Sequence, residues 1–496
     1  MSEGQGSLKA LSATAAALLA ACSVGPDYHR PSAPVPATYK EGWKTGEPQD
    51  MTDRGAWWAI YKDPVLDELE RQVDISNQNL KAAEAAYRQA RAVVAQAQSG
   101  YFPTISVAAS ATRSGQGRGS AASGLTSPSG VTRLSRGTQT QYDLTADATW
   151  SLDLWGRIRR TVEGDVANAQ ASAADLASAR LSAQATLAID YFDLRANDEL
   201  KRLLDAAVVA FTQSLQITRN QYAVGVAGQA DVVTAETQLE TTRAQSIAVG
   251  VQRAQFEHAI AVLTGKPPAE FAIAATPMPS NIPVAPTDLP STLLERRPDI
   301  AAAERLMAAA NAQIGAAEAA YYPDLTLSAS YGFTNTSLDT LLRASNALWS
   351  VAPTLTETVF NGGLRGAQVD QARAIYDQNV ATYRQTVLAG FQQVEDQLAT
   401  LRILAHQAEV EANAVRLARE AERLTLNQYK AGTVAYTAVI TAQTQALNNE
   451  QTELTILQNR LAASVTLIQA LGGGWAATQL PSDADVKVRS PLDLLR

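Results

Sequence analysis

Between Tyr142 and Leu154 the chain alternates without a break. Tyr142, Leu144, Ala146, Ala148, Trp150, Leu152 and Leu154 are interleaved with Asp143, Thr145, Asp147, Thr149, Ser151 and Asp153. A strict period of two over that length predicts a β-strand able to cross a membrane's hydrocarbon layer, one face apolar and the other acidic and hydroxylic. Its partner is predicted over about 103–112, where Ile105, Val107, Ala109 and Ala111 alternate with Thr104, Ser106 and Ser110. Gly, Ser, Thr and Arg without period over roughly 113–140 predict an exposed loop between the two. Leu325, Leu327, Ala329, Tyr331 and Phe333, then Trp349, Val351, Pro353 and Leu355, predict two more strands over about 324–334 and 348–357. Elsewhere the period lengthens. From Gly156 to Tyr222, and from Gly363 to Tyr429, no proline interrupts a helical pattern, so each stretch predicts a helix of about 100 Å. The apolar spacing is coiled-coil-like: Leu200, Leu204, Ala207, Phe211, Leu215, Thr218 and Tyr222 in the first, Phe391, Val394, Leu398, Leu401, Ala405 and Ala408 in the second.

The two halves repeat one another. Asn220-Gln221-Tyr222, Gly225, Val232, Thr234, Ala235, Thr237 and Gln238 return in register as Asn427-Gln428-Tyr429, Gly432, Val439, Thr441, Ala442, Thr444 and Gln445. Each copy lies between two helical patterns, so each predicts a helical hairpin tip whose glycine takes the positive φ that ends a helix. Tyr101-Phe102-Pro103 is matched by Tyr321-Tyr322-Pro323, and Leu263-Thr264-Gly265 by Ala470-Leu471-Gly472. Each half therefore reads helix, strand pair, very long helix, tip, helix. Two large units of this kind pack side by side rather than stack as a solenoid.

Four strands cannot close a barrel, and an open edge in lipid would leave backbone groups unsatisfied. Several chains must pool strands: two copies would fill the interior with side chains, whereas three would give twelve strands and a lumen. A soluble β-sandwich edge over a solid helical bundle is the competing reading of the same alternation. The expected fold is thus mainly α with a small transmembrane β part, a long α-helical barrel continuous with a 12-stranded barrel built by a trimer.

Composition narrows the function. A net charge of -8 over 496 residues argues against nucleic acid as a partner, and the three histidines, His29, His258 and His406, have no metal-ligand spacing. No phosphate loop, nucleophile elbow or metalloprotease helix is present, so no enzyme, cofactor or metal is expected. Lys9 followed by a short apolar run from Leu11 to Ala21 has the layout of a secretory signal over 1–21. It ends Leu19-Ala20-Ala21-Cys22, and Cys22 is the chain's one cysteine. Residues 22–63, rich in Pro, Gly and polar groups, predict an extended arm pinned by Trp43, Trp57 and Trp58. The repeats then occupy 64–285 and 286–475, with a tail over 476–496.

The residues up to this point resemble a known family. The small residues before Cys22 resemble a bacterial lipoprotein box, and Ser23 in place of Asp resembles the outer-membrane sorting case. With Val24-Gly25-Pro26-Asp27-Tyr28, Leu294-Glu295-Arg296-Arg297-Pro298-Asp299-Ile300, Asn311-Ala312-Gln313-Ile314-Gly315 and the doubled tips, nearly the whole mature chain is similar to the TolC-type outer membrane factors, lipoprotein branch, of tripartite RND-type efflux systems. The resemblance implies a homotrimer in outer-membrane lipid, Cys22 carrying the lipid, and a periplasmic tunnel serving an adaptor (membrane fusion) protein and an inner-membrane transporter. It places adaptor docking at Gly225, Val226, Gly432 and Thr433, and a periplasmic gate at Tyr429 and Asp231 of neighbouring hairpins. Here the chain departs from the pattern: Val434 stands where some members brace this link with arginine, and Ala438 and Thr441 stand where some carry an acidic ring. The alternatives are a periplasmic coiled-coil adaptor or scaffold lipoprotein with no pore, and an exit duct for type I protein secretion.

Overall fold

A computed structural model describes residues 24–40, 55–115, 138–280, 282–283 and 293–487. After a short helical turn at Trp57–Tyr61 come α1 (Pro64–Ser76), α2 (Gln78–Ser99), β1 (Thr104–Gly115), β2 (Thr138–Leu152), α3 (Arg157–Ala223) and α4 (Gln229–Leu263). The second half adds α5 (Leu293–Arg296), α6 (Pro298–Ala319), β3 (Asp324–Asn335), β4 (Ala347–Thr356), α7 (Leu364–Lys430), α8 (Tyr436–Ala470) and α9 (Asp483–Val486). The duplication is retained in length: α3 and α7 each have 67 residues, α4 and α8 each have 35. Positive-φ glycines start the long helices at Gly156 and Gly363 and end them at Gly225 and Gly432. At 1.5 Å per residue each long helix spans about 100 Å.

The four strands form one antiparallel sheet in the order β1-β2-β3-β4. Its register aligns Val107, Ala146, Tyr331 and Trp349 across the apolar face, and Ser110, Asp143 and Thr334 across the polar one. Asp143 accepts from Gln141, Thr334 and Ser110, so the hydroxyl ladder satisfies the carboxylates on its own face. β2 ends at Leu152, short of Leu154, because the Asp153 carboxylate turns the chain by accepting from the Ile158 and Arg159 amides that open α3, both at 2.9 Å. β1 and β4 are the open edges. Among the described residues no helix is long and apolar enough to cross a membrane.

Below the sheet α3 packs on α2, α4, α6 and α8, while α7 packs on α6 and α8. In the tip half the helices lie side by side in the order α4, α3, α8, α7, which leaves α4 and α7 at the outer edges. Ile403, Val410, Leu417 and Leu424 recur every seventh residue on α7 and are all exposed; Val233, Ile247 and Val251 are exposed on α4. The main core surrounds the middle of the long helices, where Tyr191, Phe192, Leu187 and Leu194 of α3 meet Tyr383, Val387 and Val394 of α7 and Leu461 and Val465 of α8.

Trp57 and Trp58 are anchored more deeply than a surface contact: with Tyr61 they are buried in the main core, and Tyr61 packs on Phe192 at 4.9 Å. Over the described residues 24–40 the arm is extended. Trp43 lies outside the described residues. Glu70 on α1 is fully buried with no hydrogen-bond partner for its carboxylate. Burial, then Asp74 and Asp67, push it up to about 9, so it sits there as the neutral acid.

Candidate functional site

Each tip is built by the same backbone bonds. Gly225 N–H donates to Tyr222 O and Val226 N–H to Gln221 O; Gly432 N–H donates to Tyr429 O and Thr433 N–H to Gln428 O, all between 2.9 and 3.0 Å. Reaching back five residues across a left-handed glycine is the Schellman closure. Its effect is to expose Gly225, Val226, Gly432 and Thr433 on a rigid frame.

Side chains distinguish the tips. Tyr429 is 4 % exposed and lies 5.3 Å from the Tyr436 ring. Its hydroxyl donates to Thr218 Oγ1 at 3.2 Å, and its carbonyl accepts from Gln221 Nε2 at 3.0 Å, so the second tip is fastened to α3 of the first hairpin. Tyr222, its counterpart, is 47 % exposed. Asp231 accepts from Gly228 N–H at 3.0 Å and so closes the start of α4. Within one chain, then, Tyr429 and Asp231 are held by different partners and do not bond to each other. They still share a field: burial raises the Tyr429 phenol, and the Asp231 charge pushes the same way, opposed by the contact with Thr218. Val434 packs on the aromatic cluster of the second tip, and Thr441 is exposed.

The sequence named Thr218 only as part of the apolar stripe and Gln221 only as part of the duplicated motif, and Tyr436 not at all; none was assigned to holding Tyr429. The available signal was the mismatch between the copies, Tyr436 against Gln229 and Arg219 against Leu426, rather than the match. Arg219 pairs with Glu236 at 2.6 Å on the first tip only.

At the other end of the molecule two sequence motifs prove to be one contact. The buried Arg160 donates to Val24 O, Gly25 O and Asp27 Oδ1 at 3.2, 3.2 and 2.9 Å. Asn311 Nδ2 donates to Pro26 O at 2.9 Å, and Tyr28 OH to Glu304 at 2.5 Å. A Cβ on Gly25 would stand 2.3 Å from Gly315 Cα, so only glycine fits there, and at φ +97°. Val24-Gly25-Pro26-Asp27-Tyr28 is therefore seated on the Asn311–Gly315 turns of α6. Val24 N–H donates to Trp155 O just past the end of β2, which brings the arm to the base of the sheet. Cys22 and the signal segment lie outside the described residues. The Arg-Arg-Pro-Asp run also has a structural use: Arg297 bonds Asp299, Gln393 of α7 and the Ala470 carbonyl that ends α8.

Residues 70–266 and 289–473 match the profile of the family described as outer membrane efflux protein, one match for each structural repeat. The chain belongs to the outer membrane efflux protein family. Relatives include the toluene efflux pump outer membrane protein TtgF of Pseudomonas putida, 31% identical with 94% of this chain and 96% of the relative covered. The antibiotic efflux pump outer membrane protein ArpC of Pseudomonas putida is 30% identical, with 97% and 98% covered. Among solved structures, the outer-membrane channel OprN superposes with a TM-score of 0.82 at 29% identity, over 92% of this chain and 100% of that one. The open state of the Neisseria gonorrhoeae MtrE outer membrane channel gives 0.81 at 27%, over 92% and 99%. As a member of the outer membrane efflux protein family this chain is an outer-membrane exit duct of an efflux pump, and the pore-less scaffold reading is set aside. Its helical barrel and β-barrel parts are those of the solved channels.

Proposed function

We propose that three copies of the chain form one duct, with twelve strands in the outer membrane and a periplasmic tunnel of long helices. The observation that carries this is the pair of open edges: among the described residues β1 and β4 have no strand beyond them, and directly below, α4 and α7 present unpartnered apolar stripes. A heptad of Ile403, Val410, Leu417 and Leu424 is the seam that another helix covers in a coiled coil, and Val233, Ile247 and Val251 of the next chain's α4 supply it. Two stripes and two strand edges on opposite sides of one chain make a heterologous interface, which closes as a ring.

In this reading Cys22 carries the lipid, and the exposed frames at Gly225, Val226, Gly432 and Thr433 receive the hairpins of a periplasmic adaptor bound to an inner-membrane transporter. Tyr429 and Asp231 bias the closed state, Tyr429 by fastening the second tip to the first hairpin and Asp231 by fixing the start of α4 beside the next chain. With Val434, Ala438 and Thr441 uncharged, block by divalent cations is weak. Relatives named for toluene, solvent and antibiotic efflux favour small apolar molecules over proteins as cargo.

Native mass measurement of detergent-extracted protein, paired with planar-bilayer conductance, tests the reading. Three-fold stoichiometry with a conductance that rises in Tyr429→Phe/Asp231→Ala is expected. A stable membrane-embedded monomer overturns the duct, while a trimer whose conductance ignores the double substitution overturns the gate.

A further inference from the structure

The most exposed large apolar side chains among the described residues are Val359 and Phe360, at 95% and 88%. They lie in the link from β4 to α7, and that link is built. Arg365 donates to Glu357 Oε1 and to the Thr358 carbonyl at 2.8 and 2.9 Å, bracing the segment just before the pair. Gly362 and Gly363, at φ +65° and +88°, turn the chain into α7 just after it. An apolar pair held out between a brace and a double left-handed turn is not a loose loop tip, and leaving it in water is unfavourable.

The other repeat indicates what covers it. In the link from β2 to α3, Trp155 stacks on Tyr322 with ring centroids 4.8 Å apart and planes 24° apart, and its Nε1 donates to Pro323 O at 2.8 Å. The aromatic that follows one strand thus seats on the Tyr-Tyr-Pro that precedes the next strand. The corresponding segment in the first half is Tyr101-Phe102-Pro103, directly before β1, and Phe102 is exposed. Within one chain β4 cannot use it, because β1 lies three strand spacings away across the sheet, about 14 Å. The antiparallel register places the end of β4 at Thr356 and the start of β1 at Thr104 on the same rim of the sheet.

We infer that Val359 and Phe360 of one protomer seat on Tyr101 and Phe102 of the next, a contact between chains that takes the place of the Trp155–Tyr322 contact made within each chain, since Gly362 stands at the Trp155 position before the helix-opening glycine. The inference rests on the trimeric duct proposed above. It adds a specific clasp at the junction of β-barrel and helical barrel, where strands splay into helices. Closure at this level is otherwise left to the strand edges alone.

The test is a cysteine pair, Phe360→Cys with Phe102→Cys, oxidised in the assembled membrane protein and run on a denaturing gel without reductant. The single substitutions, with Cys22 retained in every variant, report any participation of that thiol. Thr356→Cys with Thr104→Cys is the parallel control for strand-edge closure. Covalent trimer from the 360/102 pair is expected, together with dissociation of Phe360→Ala trimers in detergent at a lower temperature than the parent, a loss that Phe360→Trp restores. If the 356/104 pair crosslinks and the 360/102 pair does not, the clasp is wrong, the duct stands, and Phe360 faces lipid instead. If neither crosslinks and native mass gives no trimer, the duct reading fails with it.

Discussion

The two hairpin tips share a backbone and have opposite surfaces. Both end a 67-residue helix on a left-handed glycine and begin a 35-residue one. On the first, Tyr222 stands in solvent and the polar pair Arg219–Glu236 ties the arms. On the second, Tyr429 is buried against Tyr436, Val439 and the Thr218 hydroxyl of the first hairpin. The difference comes from what each tyrosine meets: residue 229 is Gln and residue 436 is Tyr. Duplication supplied a rigid frame twice, and divergence gave one tip a charged exterior and the other an aromatic lock onto its neighbour.

Truncating the two tyrosines breaks the comparison most strongly. Tyr429→Ala removes a buried aromatic and should loosen the second tip by on the order of 3 kcal/mol, whereas Tyr222→Ala should stay within about 0.5 kcal/mol. Hydrogen exchange of tip amides, read separately for the two hairpins, measures both. Equal effects would mean that the burial difference carries no energy. The glycines should behave alike: Gly225→Val and Gly432→Val force a branched residue to φ +82° and +74° where the space itself is free, at about 1–2 kcal/mol each. A large disparity between them would place the asymmetry in the backbone instead of the side chains.

The frame was legible in the sequence because it is local. Period two located all four strands to within a few residues, unbroken helical pattern gave the long helices, and Gly225 and Gly432 marked both turns. What escaped was set by residues far apart in the chain. Tyr222 and Tyr429 sit in the same Asn-Gln-Tyr motif, and the mismatch of Gln229 against Tyr436 seven residues on is the local signal that separates them; that Thr218 of the first hairpin meets the Tyr429 hydroxyl required the fold. Trp57 and Trp58 read as anchors of an arm on a surface, yet the core formed by α3 and α8 takes them in. Arg160 binds two backbone carbonyls of the arm as well as the Asp27 carboxylate, more than 130 residues away in the chain, so the partnership could not be read locally. The Val24–Tyr28 and Asn311–Gly315 motifs were both noticed, but that they are one contact required the fold.

A smaller test separates the phenol's hydrogen bond from its packing. Tyr429→Phe keeps the ring beside Tyr436 and loses only the bond to Thr218, about 1 kcal/mol. Thr218→Val loses that bond together with its own bond to the Ser214 carbonyl, so it should cost somewhat more, and the double variant little more than Thr218→Val alone, since the shared bond is removed only once. Thermal unfolding of the three trimers checks this. Additive losses would show that Tyr429 OH and Thr218 act through separate partners, and the link between second tip and first hairpin would then rest on Gln221 and the Tyr429 carbonyl.

The smallest effect expected is at the first tip's ion pair. Arg219 and Glu236 are about half exposed, so solvent and salt screen them and their pairing contributes roughly 0.2–1 kcal/mol. The corresponding positions of the second tip hold Leu426, which packs on the aromatic cluster, and the buried Gln443. Raising ionic strength well above physiological shortens the reach of exposed charges to a few ångströms, so exchange at the first tip should quicken slightly while the second tip is unchanged or tightened. Arg219→Leu should abolish the salt response of the first tip and make it resemble the second. If both tips respond alike, the ion pair is not what holds the first hairpin's arms together, and the Schellman closure with the Asp231 cap is sufficient on its own.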